Sequence, residues 1–355
     1  MSKIEWTERS WNPIVGCAIV SPGCTNCYAM RTAHRLGQNP ATPQYAGLTK
    51  VVNAKPVWTG EMRLHEPALD LPLRTRKPTT WFVNSMSDLF AEGVQEAWLD
   101  EVFIRMCVAE SLGHTFQILT KRPDRARAYL TTVRDRLYAV GNVFGRWPLP
   151  NVWLGVSAED QRRADERIPV LLATPAAVRF VSIEPMLGPI DLTSIQRFQD
   201  SMACKEFIDS LRGTFWTDQT GLPNPDPKWA KPGVPFNMDY DTHSGLNWVI
   251  VGGESGPGAR PMHPDWVRQI RDHCAAASVP FFFKQWGEWA VHLDRDRDDD
   301  DWRADYRRLE IAPYRWLNLK GGIGFHGERF HVMRRDGKKA AGRLLDGQLH
   351  DGMPQ

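Results

Sequence analysis

The feature that most narrows the possible fold is a recurring pair of segments. A short apolar run stops on a polar residue or glycine, and a stretch with helical spacing follows. The clearest runs cover residues 81–84, 115–120, 152–157, 178–184, 248–253 and 279–284. They are apolar at successive positions instead of alternating, which is the mark of parallel strands buried on both faces. Between them Trp98, Val102, Phe103 and Met106 form one helical stripe, and Trp266, Val267, Ile270 and Cys274 form another that Pro264 and Asp265 open. With Trp11 to Cys17 as a first strand, the pattern predicts an α/β fold: a parallel-stranded full or partial (β/α) barrel, TIM-like, of about six or seven strands with insertions.

On this reading residues 1–290 form the barrel, with a loop of chemical interest at 16–28 and an insertion at about 193–245. The insertion begins with a helical pattern through Phe207 and continues into Pro223, Pro225, Pro227, Pro232 and Pro235. Residues 291–355 form a C-terminal extension with a basic tail, and its run from Asp294 to Asp301 reads as a solvated loop. The chain has 355 residues, 42% hydrophobic and 24% charged, so disorder and fibre are excluded. A formal charge of +2 gives no global attraction to polyanions, and any such site must be local. No apolar run approaches the roughly 20 residues of a membrane span. The segment MSKIEWTERSWNP lacks a signal-peptide core, so a cytoplasmic protein is expected.

Six cysteines are too few for a disulfide scaffold in a chain this long, but Cys17, Cys24 and Cys27 fall within 11 residues. Three thiolates on one loop can hold a metal or an iron–sulfur cluster. Two other readings stand beside this one: a zinc knuckle completed by His34, and three unrelated buried thiols. In a [4Fe–4S] cluster three cysteines leave one iron open to a small molecule.

Several strings carry a resemblance over nearly the whole chain. They are Trp11-Asn12-Pro13 with Gly16-Cys17, Gly23-Cys24-Thr25-Asn26-Cys27-Tyr28-Ala29, Phe82 to Phe90, Leu119-Thr120-Lys121-Arg122-Pro123, Ser182-Ile183-Glu184-Pro185, Gly252-Gly253-Glu254-Ser255-Gly256 and Gly337 to Gly347. The chain resembles a three-cysteine phage-associated family of undefined function, which itself resembles the radical S-adenosylmethionine superfamily. That resemblance implies a [4Fe–4S] cluster on Cys17, Cys24 and Cys27, with S-adenosylmethionine docked on its open iron. It implies an enzyme that generates a 5′-deoxyadenosyl radical to modify or repair a nucleotide or nucleic-acid base. A nucleotide or DNA substrate and a partner protein encoded nearby would fit a phage association. The reading of a different class is a non-catalytic nucleic-acid or protein-binding module held by zinc.

In a parallel α/β barrel the working face lies at the strand C-termini, so the residues ending each run are the candidates. Asn84, Ser85, Asp88, Ser157, Glu184, Gly252, Gly253 and Glu254 are expected at the cofactor, although Asp88 suits a helix start equally well and the glycines suit a tight turn. Glu184, Lys121 and Lys284 are the candidate catalytic groups: a carboxylate fixed by Pro185, and two cations on the same face. In the tail, Arg334, Arg335, Lys338, Lys339 and Arg343 form the one basic cluster dense enough to meet phosphates.

Overall fold

The computed structural model describes residues 4–139, 146–197, 205–218, 245–294, 312–322 and 330–354. The chain divides into two compact units, Met1–Val156 with Ala173–Phe180, and Ser157–Leu172 with Val181–Gln355. Its organising element is an open seven-stranded parallel sheet whose strands follow one another in chain order: β1 (Arg9–Trp11), β2 (Thr80–Val83), β3 (Thr115–Thr120), β4 (Val152–Ser157), β5 (Val178–Ile183), β6 (Trp248–Gly252) and β7 (Phe281–Gln285). Sequential parallel order with helical crossovers is the topology of a partial TIM-like (β/α) barrel. The expected fold class is therefore borne out.

The helices are α1 (Tyr28–Gly37), α2 (Glu96–Val108), α3 (Pro123–Ala139), α4 (Gln161–Leu172) and α5 (Pro264–Ala276). The α5 stripe is as read, with Trp266, Val267, Ile270 and Cys274 all buried. On α2 the buried face is Leu99, Val102, Phe103 and Met106, so Leu99 takes the place given to Trp98.

Two expectations are corrected. The first strand does not run from Trp11 to Cys17. It covers Arg9–Trp11 and then breaks, because Asn12-Pro13 interrupts the ladder and Pro13 has no N–H to donate. Ile14–Val15 pairs instead with Arg63–Leu64. The helical pattern through Phe207 is a strand, Lys205–Asp209, antiparallel to both Ile195–Arg197 and Thr214–Asp218. A short apolar run carries too few residues for periodicity to separate the two states. The prolines from Pro223 to Pro235 and residues 295–301 of the acidic run lie outside the described residues.

Tryptophans fill the interior of both units. Trp11 and Trp81 are fully buried in the first, and Trp248 and Trp266 in the second. A buried indole N–H needs an acceptor. Trp11 donates to the Ala68 carbonyl at 2.7 Å, Trp248 to Gly352 at 2.7 Å and Trp266 to Leu319 at 2.6 Å, so these three rings also pin distant segments, whereas the Trp81 N–H has no hydrogen-bond partner among the described residues. Beyond β7 the chain forms a small antiparallel sheet of Trp289–Asp294, Phe330–Arg335 and Tyr314–Asn318, with the second of these in the middle. Residues 350–352 return to β7: Phe283 N–H donates to the His350 carbonyl at 2.9 Å, and Gly352 N–H to Phe281 at 3.0 Å. No helix among the described residues is long and apolar enough to cross a membrane.

Candidate functional site

In the first unit, β2 ends at Val83 and the chain turns at Asn84, a left-handed residue (φ 57°), a conformation asparagine tolerates better than most. The Asn84 N–H donates to the Trp11 carbonyl at 2.7 Å. Ser85 Oγ donates to Asn12 Oδ1 at 3.1 Å, and Ser87 Oγ to the Ile14 carbonyl at 2.9 Å. Asn84 and Ser85 thus hold the segment that leads into the cysteine loop. Gly16 stands just before Cys17 at φ 95°, where an added Cβ would lie 2.1 Å from the Glu61 carbonyl oxygen, so only glycine fits.

Asp88 is the hub of this end. Its carboxylate accepts from Phe90 N–H (3.0 Å), Thr120 Oγ1 (2.7 Å), Lys121 N–H (2.9 Å) and Arg122 Nη1 (3.0 Å). Arg122 extends the network through Nε to Glu92 at 2.8 Å and Nη2 to the Ala18 carbonyl at 3.2 Å. Burial works against the guanidinium charge, but Asp88, Cys17 and Glu92 outweigh it and hold its pKa above the ordinary value.

Cys17 and Cys27 are half-buried and pack against a cluster that includes Val15, Ala29, Met30 and Trp58. Burial, then Asp88, pushes the Cys17 thiol up to about 12, with Arg122 opposing and Cys27 and Cys24 adding to the rise. Burial also raises Cys27, against the start of α1 at Ala29 and Met30 and against Lys121. Both shifts favour the protonated thiol, whereas a metal binds the thiolate.

The donor geometry overturns the expected cofactors. Among the described residues, the set of three His, Cys, Asp or Glu side chains whose ligand atoms all lie within 4.8 Å of one another is His263, Asp265 and His331, with no cysteine in it. Cys17, Cys24 and Cys27 do not form the three-cysteine centre that a [4Fe–4S] cluster requires, and S-adenosylmethionine loses the iron on which it would dock. His34 is not in that donor set either, and its Nδ1 meets Thr49 Oγ1 at 3.1 Å.

In the second unit the predicted carboxylate and cation come together. Glu184 follows β5 and Lys284 lies on β7, 100 residues apart in sequence, yet Lys284 Nζ is 2.8 Å from each Glu184 oxygen. The pair is screened but not sealed, with side-chain exposures of 13% for Lys284 and 19% for Glu184. Gln285 Nε2 donates to Glu184 Oε1 at 3.2 Å and to the Gly253 carbonyl at 3.4 Å, which fixes the orientation of its amide. Gln285 Oε1 is then a buried acceptor with no hydrogen-bond partner among the described residues. A Cβ on Gly252 would stand 3.3 Å from the Glu184 carboxylate, so the bare backbone leaves room beside it. Gly253 answers a packing demand, since its Cβ would fall 1.9 Å from the Trp286 carbonyl oxygen.

The remaining candidates have structural partners. Glu254 is clamped by Arg260, whose Nε and Nη2 donate at 2.9 and 2.7 Å. The carbonyl of buried Ser157 accepts from Arg167 Nη1 at 2.7 Å, and Arg167 also pairs with Glu159. In the tail Arg334 is held by Asp336, Arg335 by Glu288 at 3.9 Å and Arg343 by Asp351, while Lys338 and Lys339 stand exposed on a short helix. Lys121 belongs to the first unit and its N–H is used by Asp88. Sequence reading missed the His263–Asp265–His331 group, because nothing local links a helix start to a strand 68 positions later.

A family model described as a protein of unknown function (DUF5131) matches residues 1–354, and the chain belongs to that family. The match agrees with a family of undefined function and adds neither a cysteine motif nor a phage origin. No curated protein and no solved structure matches the chain.

Proposed function

We propose that this family member is an enzyme whose active centre is Glu184, Lys284 and Gln285, and that it binds and transforms a nucleotide or nucleic-acid base. The observation that carries this reading is the unmet Gln285 Oε1 beside a carboxylate and an ammonium held 2.8 Å apart. The three groups offer an acceptor, a proton acceptor and a cation at the C-terminal ends of two parallel strands, the face on which barrel enzymes place their chemistry. A nucleobase suits that set. Its amino or imino N–H satisfies Gln285 Oε1, Glu184 takes a proton from the bound ring, and Lys284 neutralises the anion that results. Duplex DNA would have to present the base flipped out of the stack.

The test is ligand-detected NMR with the common ribo- and deoxynucleosides, their monophosphates and a short single-stranded DNA. Binding of at least one base-containing ligand, lost in Gln285→Leu and weakened in Lys284→Met, is the expected result. Absence of binding by every ligand, or binding that both substitutions leave unchanged, overturns the assignment.

A further inference from the structure

We propose that His263, Asp265 and His331, with Asp294 beside them, form a binding site for one divalent first-row transition-metal ion, zinc being the ion this donor set suits. The site lies wholly within the second unit, between the start of α5 and the small antiparallel sheet. His263 is the N-cap of α5 and Asp265 is in its first turn. His331 sits on the central strand, and the antiparallel register sets it directly opposite Asp294. Both imidazoles are fully buried, with ring centroids 4.7 Å apart and planes at 73°, and Asp294 is nearly so.

The distances distinguish an ion from a proton. His331 Nε2 is 3.7 Å from Asp265 Oδ2 and 4.0 Å from Asp294 Oδ2. An imidazolium bridging two carboxylates would draw them to about 2.7–2.9 Å. Two donors on one zinc, each about 2.0–2.2 Å from it, stand roughly 3.3–3.6 Å apart in a tetrahedron, much nearer the spacing observed. Charge is compatible: two carboxylates supply the two negative charges that offset a divalent ion. The outer shell is in place as well. Asp265 Oδ1 accepts from Arg268 Nη1 at 2.8 Å, so Oδ2 is the oxygen turned to His331, and Arg268 is in turn gripped by Asp346. His263 Nδ1 accepts the Asp265 N–H at 3.1 Å, so loading exchanges that helix cap for a metal bond. The ion would anchor the C-terminal sheet to α5.

Cobalt(II) titration of chelator-treated full-length protein tests the site, because its visible bands report ligand type. One equivalent should bind with visible absorption and without the near-ultraviolet thiolate charge-transfer band. The Cys17→Ser/Cys24→Ser/Cys27→Ser variant should bind as the parent does. His331→Gln and His263→Asn should lower affinity by at least about a hundredfold, beyond the usual cost of an outer-shell change. Zinc should raise the thermal midpoint of the parent and leave that of His331→Gln unmoved. If His331→Gln fails to fold by circular dichroism, His263→Asn decides, since asparagine keeps the helix cap while removing the imidazole. No cobalt or zinc binding below about 1 mM, or binding abolished by the cysteine changes and kept in the histidine variants, overturns the proposal.

Discussion

Asp88→Asn should destabilise the protein by about 3–5 kcal/mol, the cost of leaving a buried charge without its partner. The figure follows from the four donors that converge on this carboxylate. Asparagine keeps one acceptor oxygen, which serves Phe90 and Thr120. Its amide then points at the Lys121 N–H and Arg122 Nη1, so two buried donors face a third. Each orphaned donor costs about 1–3 kcal/mol, the charged one more. Arg122 and Asp88 are only 6% and 8% exposed, so water cannot repair the loss. Glu92 remains as a partner for Arg122 but is 68% exposed, and an ion pair of that kind contributes under about 1 kcal/mol. Arg122→Met tests the same pair from the other side, and Asp88→Asn with Arg122→Met should recover much of the loss because no charge is then stranded. Urea unfolding followed by tryptophan fluorescence gives the cycle. A single-variant loss under about 1 kcal/mol, or costs that simply add, would refute the idea that a buried pair organises this end of the sheet.

Other predictions concern the thiols and the glycine turn. Cys17, held up to about 12, should react with iodoacetamide at pH 8 far more slowly than after unfolding, which site-resolved mass spectrometry measures. Its folded pKa lies above the unfolded value, so its contribution is fully present below pH 9 and is lost as pH rises toward about 12. Cys17→Ala should therefore flatten the alkaline limb of a stability-versus-pH curve. Gly253→Ala should cost at least about 3 kcal/mol because its Cβ meets a backbone oxygen that cannot swing aside. Gly252→Ala, which meets only the Glu184 side chain, should cost much less in the same urea titration.

The strand ends were legible because each apolar run stops on a polar residue or glycine, and Glu184 and Lys284 were found this way. Their mutual contact was not legible, since a spacing of 100 residues is set by barrel order and not by any local pattern. Cysteine spacing gives the type of a donor but not the direction of its sulfur or the burial that keeps its proton, and there the reading failed. His331 alternates with apolar neighbours on an ordinary strand, so nothing marks it until Asp294 is seen across the register. The pairing of the tail was within reach: Asp336 stands next to Arg335, and Asp351 lies eight residues beyond Arg343. A count of basic residues alone misses those acidic neighbours.

An open sheet has raw outer strands, and β7, with three consecutive phenylalanines, would be a strong template for another chain. Residues 350–352 occupy that rim, with Asp351 bridged antiparallel to Phe282. Trimming the chain before His350 would uncover a hydrophobic ladder and take the Gly352 acceptor from buried Trp248, and the shortened protein should aggregate.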